Sequence, residues 1–192
     1  MSRFLLLLAV TLMLSSVQWL ASIDNIALHE VLHGLRPEFL PDEVELKTKD
    51  PLFSIPLDLQ KKIRNDGTTV LVDFRLPSDQ KRLWVVRNNK VLVHCRVAHG
   101  KNSGELITEH FSNEPETNMS CIGEFKTGRI YDGEKGLAMR LHGLDAGVND
   151  NAYDRGIVFH GGSYVSYAFL AQHGRIGRSH GCFVTEPRIN SR

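Results

Sequence analysis

Glycine is distributed unevenly along this chain, and the distribution separates two parts. Fifteen of the sixteen glycines lie from Gly67 onward, whereas four of the seven prolines precede it. Frequent glycines between short apolar runs are typical of strands joined by turns, and closely spaced prolines favour extended chain. The sequence therefore predicts a helical and extended arm over residues 23–64 and a turn-rich, mainly β domain over residues 65–192.

Hydrophobic alternation predicts that the β domain opens as an antiparallel meander. The first strand spans residues 69–76 and the second spans residues 82–86. Asn88 and Asn89 suit a hairpin turn, and the chain returns over residues 91–97. One apolar face of the first strand is predicted to consist of Val70, Val72, Phe74 and Leu76.

Two later elements are predicted around His160. The apolar run of residues 157–159 indicates a buried strand that ends at this histidine. After it, a helix is predicted with Ser163 as its N-cap and Gly174 as its stop. Its shared face consists of Val165, Ala168, Phe169 and Gln172.

The run Arg178-Ser179-His180-Gly181-Cys182 places a thiol on a turn of small residues. Acyl transfer by a thiol needs a base that takes its proton and backbone amides that stabilise the oxyanion. We predict that Cys182 is the nucleophile and that His160 is the base. The carbonyl of Gly161 is expected to hold the other ring nitrogen of His160.

The chain resembles the YkuD-type L,D-transpeptidases, in their murein L,D-transpeptidase catalytic-domain-like branch. The resemblance spans about residues 65–187 and includes the two histidine-glycine motifs described above. The motifs that carry it, in chain order, are Val97–Gly104, Phe111–Asn113, Ile122–Gly123, Asn149–Ala152, Arg155–Gly161, Tyr164–Ser166 and Gly174–Cys182.

This resemblance implies a fold, a reaction and a set of site residues. It implies an L,D-transpeptidase-like β-sandwich or barrel that acts as a monomer on peptidoglycan stem peptides without a metal or an organic cofactor. Cys182 would attack the amide between the diamino acid and the terminal D-Ala of a stem tetrapeptide, and an amine or water would resolve the thioester. The implied catalytic residues are Cys182, His160, Gly181 and Ser179, and the implied substrate-binding residues are His180, Arg178, Gly161, Tyr164, His99 and Ser103.

Two departures from the family pattern affect these expectations. Val184 stands where the better-known members have Arg or Asn, which leaves the group that binds the substrate carboxylate unassigned. The related domains also continue through a further helix and strand after the cysteine. Because the sequence stops at Arg192, we expect a C-terminally incomplete catalytic domain.

The charge balance and the N-terminus indicate where the protein acts. With 23 basic and 22 acidic residues, neither nucleic acid nor an anionic membrane surface is predicted as a partner. Arg3 followed by the apolar run of residues 4–14 predicts a signal peptide or an uncleaved membrane anchor over residues 1–22. Export to the periplasm or cell envelope is therefore expected, with membrane contact only through an uncleaved anchor.

Alternatives remain open at four places. His99 lies in a His-Gly turn and either lines the cleft or has only a structural role in that turn. Cys95 is expected to face the core, and a Cys95–Cys121 disulfide stays open. His29, Glu30 and His33 match the H-E-x-x-H pattern of zinc peptidases, without a third ligand after them. A peptidoglycan-binding module that has lost turnover is the other alternative function.

Overall fold

The computed structural model describes residues 52–190, which lie within one compact unit of the chain. The described part is mainly β, as predicted, with two sheets and only short helices. The predicted signal peptide or anchor, the predicted helix of the arm and the H-E-x-x-H motif lie outside the described residues. No helix in the range 52–190 is long and apolar enough to cross a membrane.

The described part contains seven strands, and its longest connection, residues 96–124, joins the third strand to the fourth. In chain order they are a 3-10 helix (Leu52–Ser54), α1 (Leu57–Gln60), β1 (Thr68–Val72), β2 (Leu83–Arg87), β3 (Lys90–Cys95), β4 (Phe125–Gly133), β5 (Gly136–Gly143), β6 (Val158–Gly161), α2 (Tyr167–His173), β7 (Phe183–Thr185) and α3 (Pro187–Asn190).

The first sheet, sheet A, is the predicted antiparallel meander of β1, β2 and β3. Asn88 and Asn89 have φ angles of 50° and 56°, which a two-residue hairpin turn requires at both central positions. The predicted first strand was wrong in its length and only partly right in its apolar face, of which Val72 and Phe74 contact the core between the sheets. It ends at Val72, and Leu71 is its buried residue, whereas Val70 is exposed.

The cause of this difference is that both faces of sheet A are covered. Leu83 of β2 packs into a core between the sheets, whereas Trp84 and Val86 pack on the opposite face. Leu71 pairs with Trp84 and shares that second core with Ile55 from the N-terminal segment. A strand covered on both sides has no single apolar face, so alternation alone does not identify its buried residues.

The second sheet, sheet B, has the order β4-β5-β6-β7, and its last pair is parallel. Leu141, Phe159 and Phe183 point from it into the core between the sheets. Because side chains alternate along a strand, residues 158 and 160 of β6 project from the opposite face. The connection between β6 and β7 carries α2 and then the turn that ends at Cys182.

The α2 helix supports this connection. Ser166 caps its N-terminus by accepting a hydrogen bond from the backbone N–H of Phe169, so the predicted cap at Ser163 was wrong. Gly174 ends the helix in a left-handed conformation with φ 69°, as predicted. Leu170 of the helix and Val165 before it pack near Val184 of β7.

Candidate active site

Parallel pairing of β6 and β7 brings His160 and Cys182 to one face of sheet B. Phe159 pairs with Phe183 and His160 pairs with Val184. Cys182 directly precedes β7, so continuing the register places it opposite Val158. Paired residues share a face and faces alternate along each strand, and the side chains of His160 and Cys182 therefore project from the same face, two positions apart.

The backbone of Gly161 fixes the tautomer of His160. The Nδ1 atom of His160 lies 2.8 Å from the Gly161 carbonyl oxygen, as the sequence predicts. A carbonyl oxygen only accepts, so Nδ1 donates the hydrogen and Nε2 keeps its lone pair when the ring is neutral. Burial lowers the pKa of His160, partly offset by this hydrogen bond. The neutral ring can therefore accept a proton at Nε2.

The Cys182 thiol is in its neutral form in this environment. Its Sγ donates a hydrogen bond to the Gly156 carbonyl at 3.7 Å. Burial raises the pKa of the Cys182 thiol, while the Val158 N–H and the positive charges of Lys135 and Arg155 act against that shift. Both pKa shifts favour a neutral thiol beside a neutral imidazole over a thiolate–imidazolium pair.

The turn that presents Cys182 is closed by Ser179 and Gly181. The Ser179 hydroxyl accepts from the Gly181 N–H at 3.1 Å and donates to the Cys182 carbonyl at 2.7 Å. Gly181 has φ 122°, and a Cβ there would lie 2.8 Å from the Met119 carbonyl oxygen. The turn therefore requires glycine. Its N–H is occupied by Ser179, and the backbone N–H groups that face the sulfur are those of Val158 and of Cys182 itself.

A chain of buried serines anchors the same turn to the rest of the domain. The Ser120 hydroxyl donates to the Gly181 carbonyl at 3.1 Å and accepts from the Gly100 N–H at 3.0 Å. The Ser103 hydroxyl accepts from the Ser120 N–H at 2.8 Å. Ser103 is completely buried and supports the turn from behind, so it offers no exposed surface for the predicted substrate contact.

His99 is also a structural residue, one of the two roles that the sequence leaves open for it, and it has no exposed surface for substrate. It is fully buried, and its Nδ1 accepts from Arg82 at 2.8 Å and from Thr108 at 3.0 Å. Its Nε2 donates to the Gly104 carbonyl. Burial, together with the charge of Arg82, lowers the pKa of His99 to about 4. Only the His99 carbonyl reaches the nucleophile turn, where it accepts from the Ser179 N–H.

Arg178 and His180 lie on the outer side of the turn. Arg178 forms an ion pair with Glu105 at 2.6 Å and donates to the carbonyls of Lys101 and Gly104. His180 is exposed, 3.5 Å from the Lys101 ammonium. An open cavity of about 380 Å³ lies here, lined by residues of the 101–110 segment and Arg178. Neither His160 nor Cys182 lines this cavity, so we do not place the reaction in it.

Tyr164 lies beside the thiol, on the opposite side from the core between the sheets. It packs with Cys182 near Val184 and Ile176. Burial, together with the neighbouring Cys182, raises the pKa of Tyr164 to about 12, so its hydroxyl stays protonated. A Cβ at Gly177 would lie 2.6 Å from the Tyr164 side chain. This close approach explains why position 177 of the Gly174–Cys182 motif is glycine.

Three residues near the site were not predicted from the sequence as site residues. Ser120 supports the turn, Arg155 binds the Met119 carbonyl and acts on Cys182 through its charge, and Lys135 acts on both His160 and Cys182. Arg155 stands in the predicted Arg155–Gly161 motif, which was a usable signal. Ser120 and Lys135 carry no sequence signal, because only the folded chain brings them to the turn.

Residues 51–192 match the model of a family described as L,D-transpeptidase catalytic domain. The chain belongs to this family. No curated protein and no solved structure matches it. No disulfide joins the cysteines of this L,D-transpeptidase domain within residues 52–190, and Cys95 and Cys121 are buried. Within residues 52–190, no group of three or more His, Cys, Asp and Glu side chains is arranged to hold a metal ion.

Proposed function

We propose that the protein is a cysteine-dependent L,D-transpeptidase, with L,D-carboxypeptidase activity when water replaces the acceptor amine. Its substrate is the stem peptide of peptidoglycan. The observation that carries the proposal is the pair on one face of sheet B, in which Gly161 holds His160 Nδ1 and leaves Nε2 able to accept the proton of the Cys182 thiol. Membership of the L,D-transpeptidase family supports the substrate class.

The first half-reaction acylates the thiol. As Cys182 Sγ attacks the carbonyl carbon of the amide between the diamino acid and D-Ala, its proton passes to His160 Nε2. The Cys182 backbone N–H faces the sulfur and is our candidate donor to the developing oxyanion. The carbon–nitrogen bond then breaks, and the imidazolium returns the proton to the departing D-Ala amine.

The second half-reaction releases the acyl group. An amine from a second stem attacks the thioester carbon while His160 removes its proton, and the carbon–sulfur bond breaks to return Cys182 to the thiol. This sequence forms a crosslink, whereas attack by water leaves a tripeptide. Ser179 and Gly181 position the nucleophile, and Tyr164 forms one wall of the site. Protons, atoms and electrons balance within the pair, so the cycle consumes no cofactor.

The location and state of the enzyme are part of the proposal. The basic residue and apolar run at the N-terminus support export to the periplasm or cell envelope, which is where peptidoglycan is found. We propose a monomer there, with residues 1–22 acting as a signal peptide or as an uncleaved anchor.

The direct test is thiol-sensitive release of D-Ala from purified muropeptides. Cys182→Ser should abolish release while the thermal midpoint stays close to that of the parent, because a serine hydroxyl is far less acidic than a thiol. Cys95→Ser and Cys121→Ser are the matched controls. If Cys182→Ser retained activity that the Cys121→Ser variant lost, Cys182 would not be the nucleophile.

The same assay separates the two alternatives. Binding of muropeptides without any D-Ala release would favour a non-catalytic peptidoglycan-binding module. Release that a chelator stops and an alkylating reagent does not would favour the zinc-peptidase motif at His29 and His33. His29→Ala should leave turnover unchanged if the cysteine mechanism operates.

A further inference from the structure

A hairpin of sheet B extends past the candidate active site. Strands β4 and β5 are joined by Glu134 and Lys135, with Gly133 paired to Gly136. In the next strand pair, Ala138 lies opposite His160. Because the β5 strand runs antiparallel to β6, the residues before Ala138 continue beyond the end of β6 that carries His160. The hairpin tip therefore lies on the side of the site from which β6 leaves toward Tyr164.

The Lys135 ammonium lies over the residue that forms one wall of the site. Its Nζ atom is 6.0 Å from the centroid of the Tyr164 ring, and Tyr164 packs beside Cys182. The positive charge of Lys135 opposes the burial that raises the pKa of Cys182 and adds to the burial that lowers the pKa of His160. The ammonium is therefore within electrostatic range of both reacting groups.

The charge of Lys135 has no acidic partner in the described part of the chain. No carboxylate within residues 52–190 forms an ion pair with it, whereas Arg175 and Arg178 both bind Glu105. Arg155, the other cation that acts on Cys182, donates to the carbonyls of Ser112 and Met119. Among these cations, Lys135 is the one whose charge is available to an anionic ligand at the thiol.

We propose that Lys135 binds the terminal carboxylate of the acyl donor and thereby selects donors that end in a free carboxyl group. The proposal rests on the proposed function, in which the leaving group is a D-amino acid. The carboxylate carbon of that residue is two bonds from the scissile nitrogen, so a bound donor brings a negative charge close to the thiol. The carboxylate and the ammonium attract each other in this arrangement.

The test uses Cys182 alkylation and therefore does not require turnover. Iodoacetate and iodoacetamide have similar size and differ in charge, so the ratio of their rate constants at Cys182 measures the local preference for an anion. We expect Lys135→Gln to lower this ratio about 3-fold to 5-fold, the range of an exposed charge pair at low salt. The effect should shrink as ionic strength rises.

A control and a second readout make the test decisive. Lys90→Gln removes the same charge from the hairpin of sheet A and should leave the ratio unchanged. In the D-Ala assay, Lys135→Gln should raise KM for a tetrapeptide with a free carboxylate and should leave KM for its C-terminal amide unchanged, with kcat affected less than KM.

The outcomes distinguish the two proposals. An alkylation ratio that Lys135→Gln leaves unchanged, or KM values that rise equally for the acid and the amide, would overturn the role of Lys135. A lowered ratio in a protein that never releases D-Ala would support the anion site at Lys135 while contradicting the proposed function.

Discussion

The candidate site uses two residues whose environments oppose their charged forms. Burial raises the pKa of the Cys182 thiol and lowers the pKa of His160, so the resting pair is neutral. In the proposed mechanism, the proton moves only when the sulfur attacks, so His160 would act as a general base rather than as the partner of a preformed thiolate. This arrangement protects the thiol from reagents that need a thiolate, until a substrate occupies the site.

The pH dependence of turnover should report this neutral pair. Because the pKa of His160 is lowered, the base stays unprotonated below the ordinary histidine value of about 6.5. We expect kcat/KM for D-Ala release to stay constant as the pH falls past 6.5 and to decrease only in more acidic solution. In contrast, iodoacetamide labelling of Cys182 should rise with pH through a midpoint above that of an ordinary cysteine.

The measurement is a pair of pH profiles on the same protein, one of turnover and one of labelling. His160→Ala should lower turnover by ~10² to 10⁴-fold, the range of general-base loss. Coincident midpoints for turnover and labelling near neutral pH would contradict the neutral pair and indicate a preformed thiolate.

The absence of a Cβ atom at Gly181 gives a prediction about the turn. Gly181→Ala would combine a positive φ, which costs an L-residue roughly 1 to 2 kcal/mol, with a collision at the Met119 carbonyl. We expect loss of activity and a destabilisation of about 2 to 4 kcal/mol, once overpacking is added. Gly147→Ala is the control, because Gly147 has φ 74° but open space around its Cβ position. Equal urea midpoints for the two variants would disprove the collision.

At the level of elements, the nucleophile turn is held by segments that are distant in sequence. Ala98 bonds to Val184, and the carbonyl of His99 and the N–H of Lys101 bond to Ser179. Ser120 then connects Gly100 to Gly181. In this chain, the segment of residues 97–104 therefore packs beneath the turn that carries Cys182 and supports it.

Removing the Ser120 hydroxyl should loosen the turn without touching the reacting groups. Ser120→Ala leaves the buried Gly100 N–H and one buried carbonyl without this partner, at a cost of about 1 to 3 kcal/mol. We expect kcat to fall while the pH profile of turnover keeps its shape. Ser166→Ala, which removes the cap of α2, should cost about 1 kcal/mol and spare kcat. If Ser166→Ala reduced kcat as much as Ser120→Ala, the specific role of Ser120 would be wrong.

The sequence correctly predicted those elements whose signals lie in neighbouring residues. The Asn88-Asn89 turn, the strand before His160, the Gly174 stop and the Gly161 carbonyl all follow from neighbouring residues. It failed where tertiary packing decides the outcome. Leu71 is buried because a second core covers the outer face of sheet A, and His99 and Ser103 are buried because they lie beneath the turn. Lys135 comes to the site through strand register, which a single sequence does not reveal.

The whole molecule should be sensitive to acid because of His99. Its pKa is about 4 in the fold and about 6.5 in an unfolded chain. The unfolded state therefore binds the proton first, and the free energy of unfolding should be intact above pH 6.5 and fall as pH drops toward 4. The full effect is on the order of 3 kcal/mol, at about 1.4 kcal/mol for each pKa unit.

Urea unfolding at a series of pH values measures this effect. His99→Gln removes the titrating group while keeping an amide that can accept from Arg82 and donate to the Gly104 carbonyl, so its stability should depend less on pH in this range. His142→Gln is the control, since His142 is exposed and stacks on Tyr153. Identical pH dependence in the parent and the His99→Gln variant would show that other groups cause the acid sensitivity.

The short strand β7 has a consequence for when the chemistry begins. It is bonded to β6 on one side and, through Val184, to Ala98 on the other, so it forms a seam between two parts of the domain. During synthesis, His160 and the bed of the turn leave the ribosome before Cys182 does. In the proposed mechanism, Cys182 meets His160 only when this seam closes, and a nascent chain carries the thiol in an ordinary solvent environment until then. Folding itself therefore brings the proposed nucleophile and base together, at the last stage of assembly.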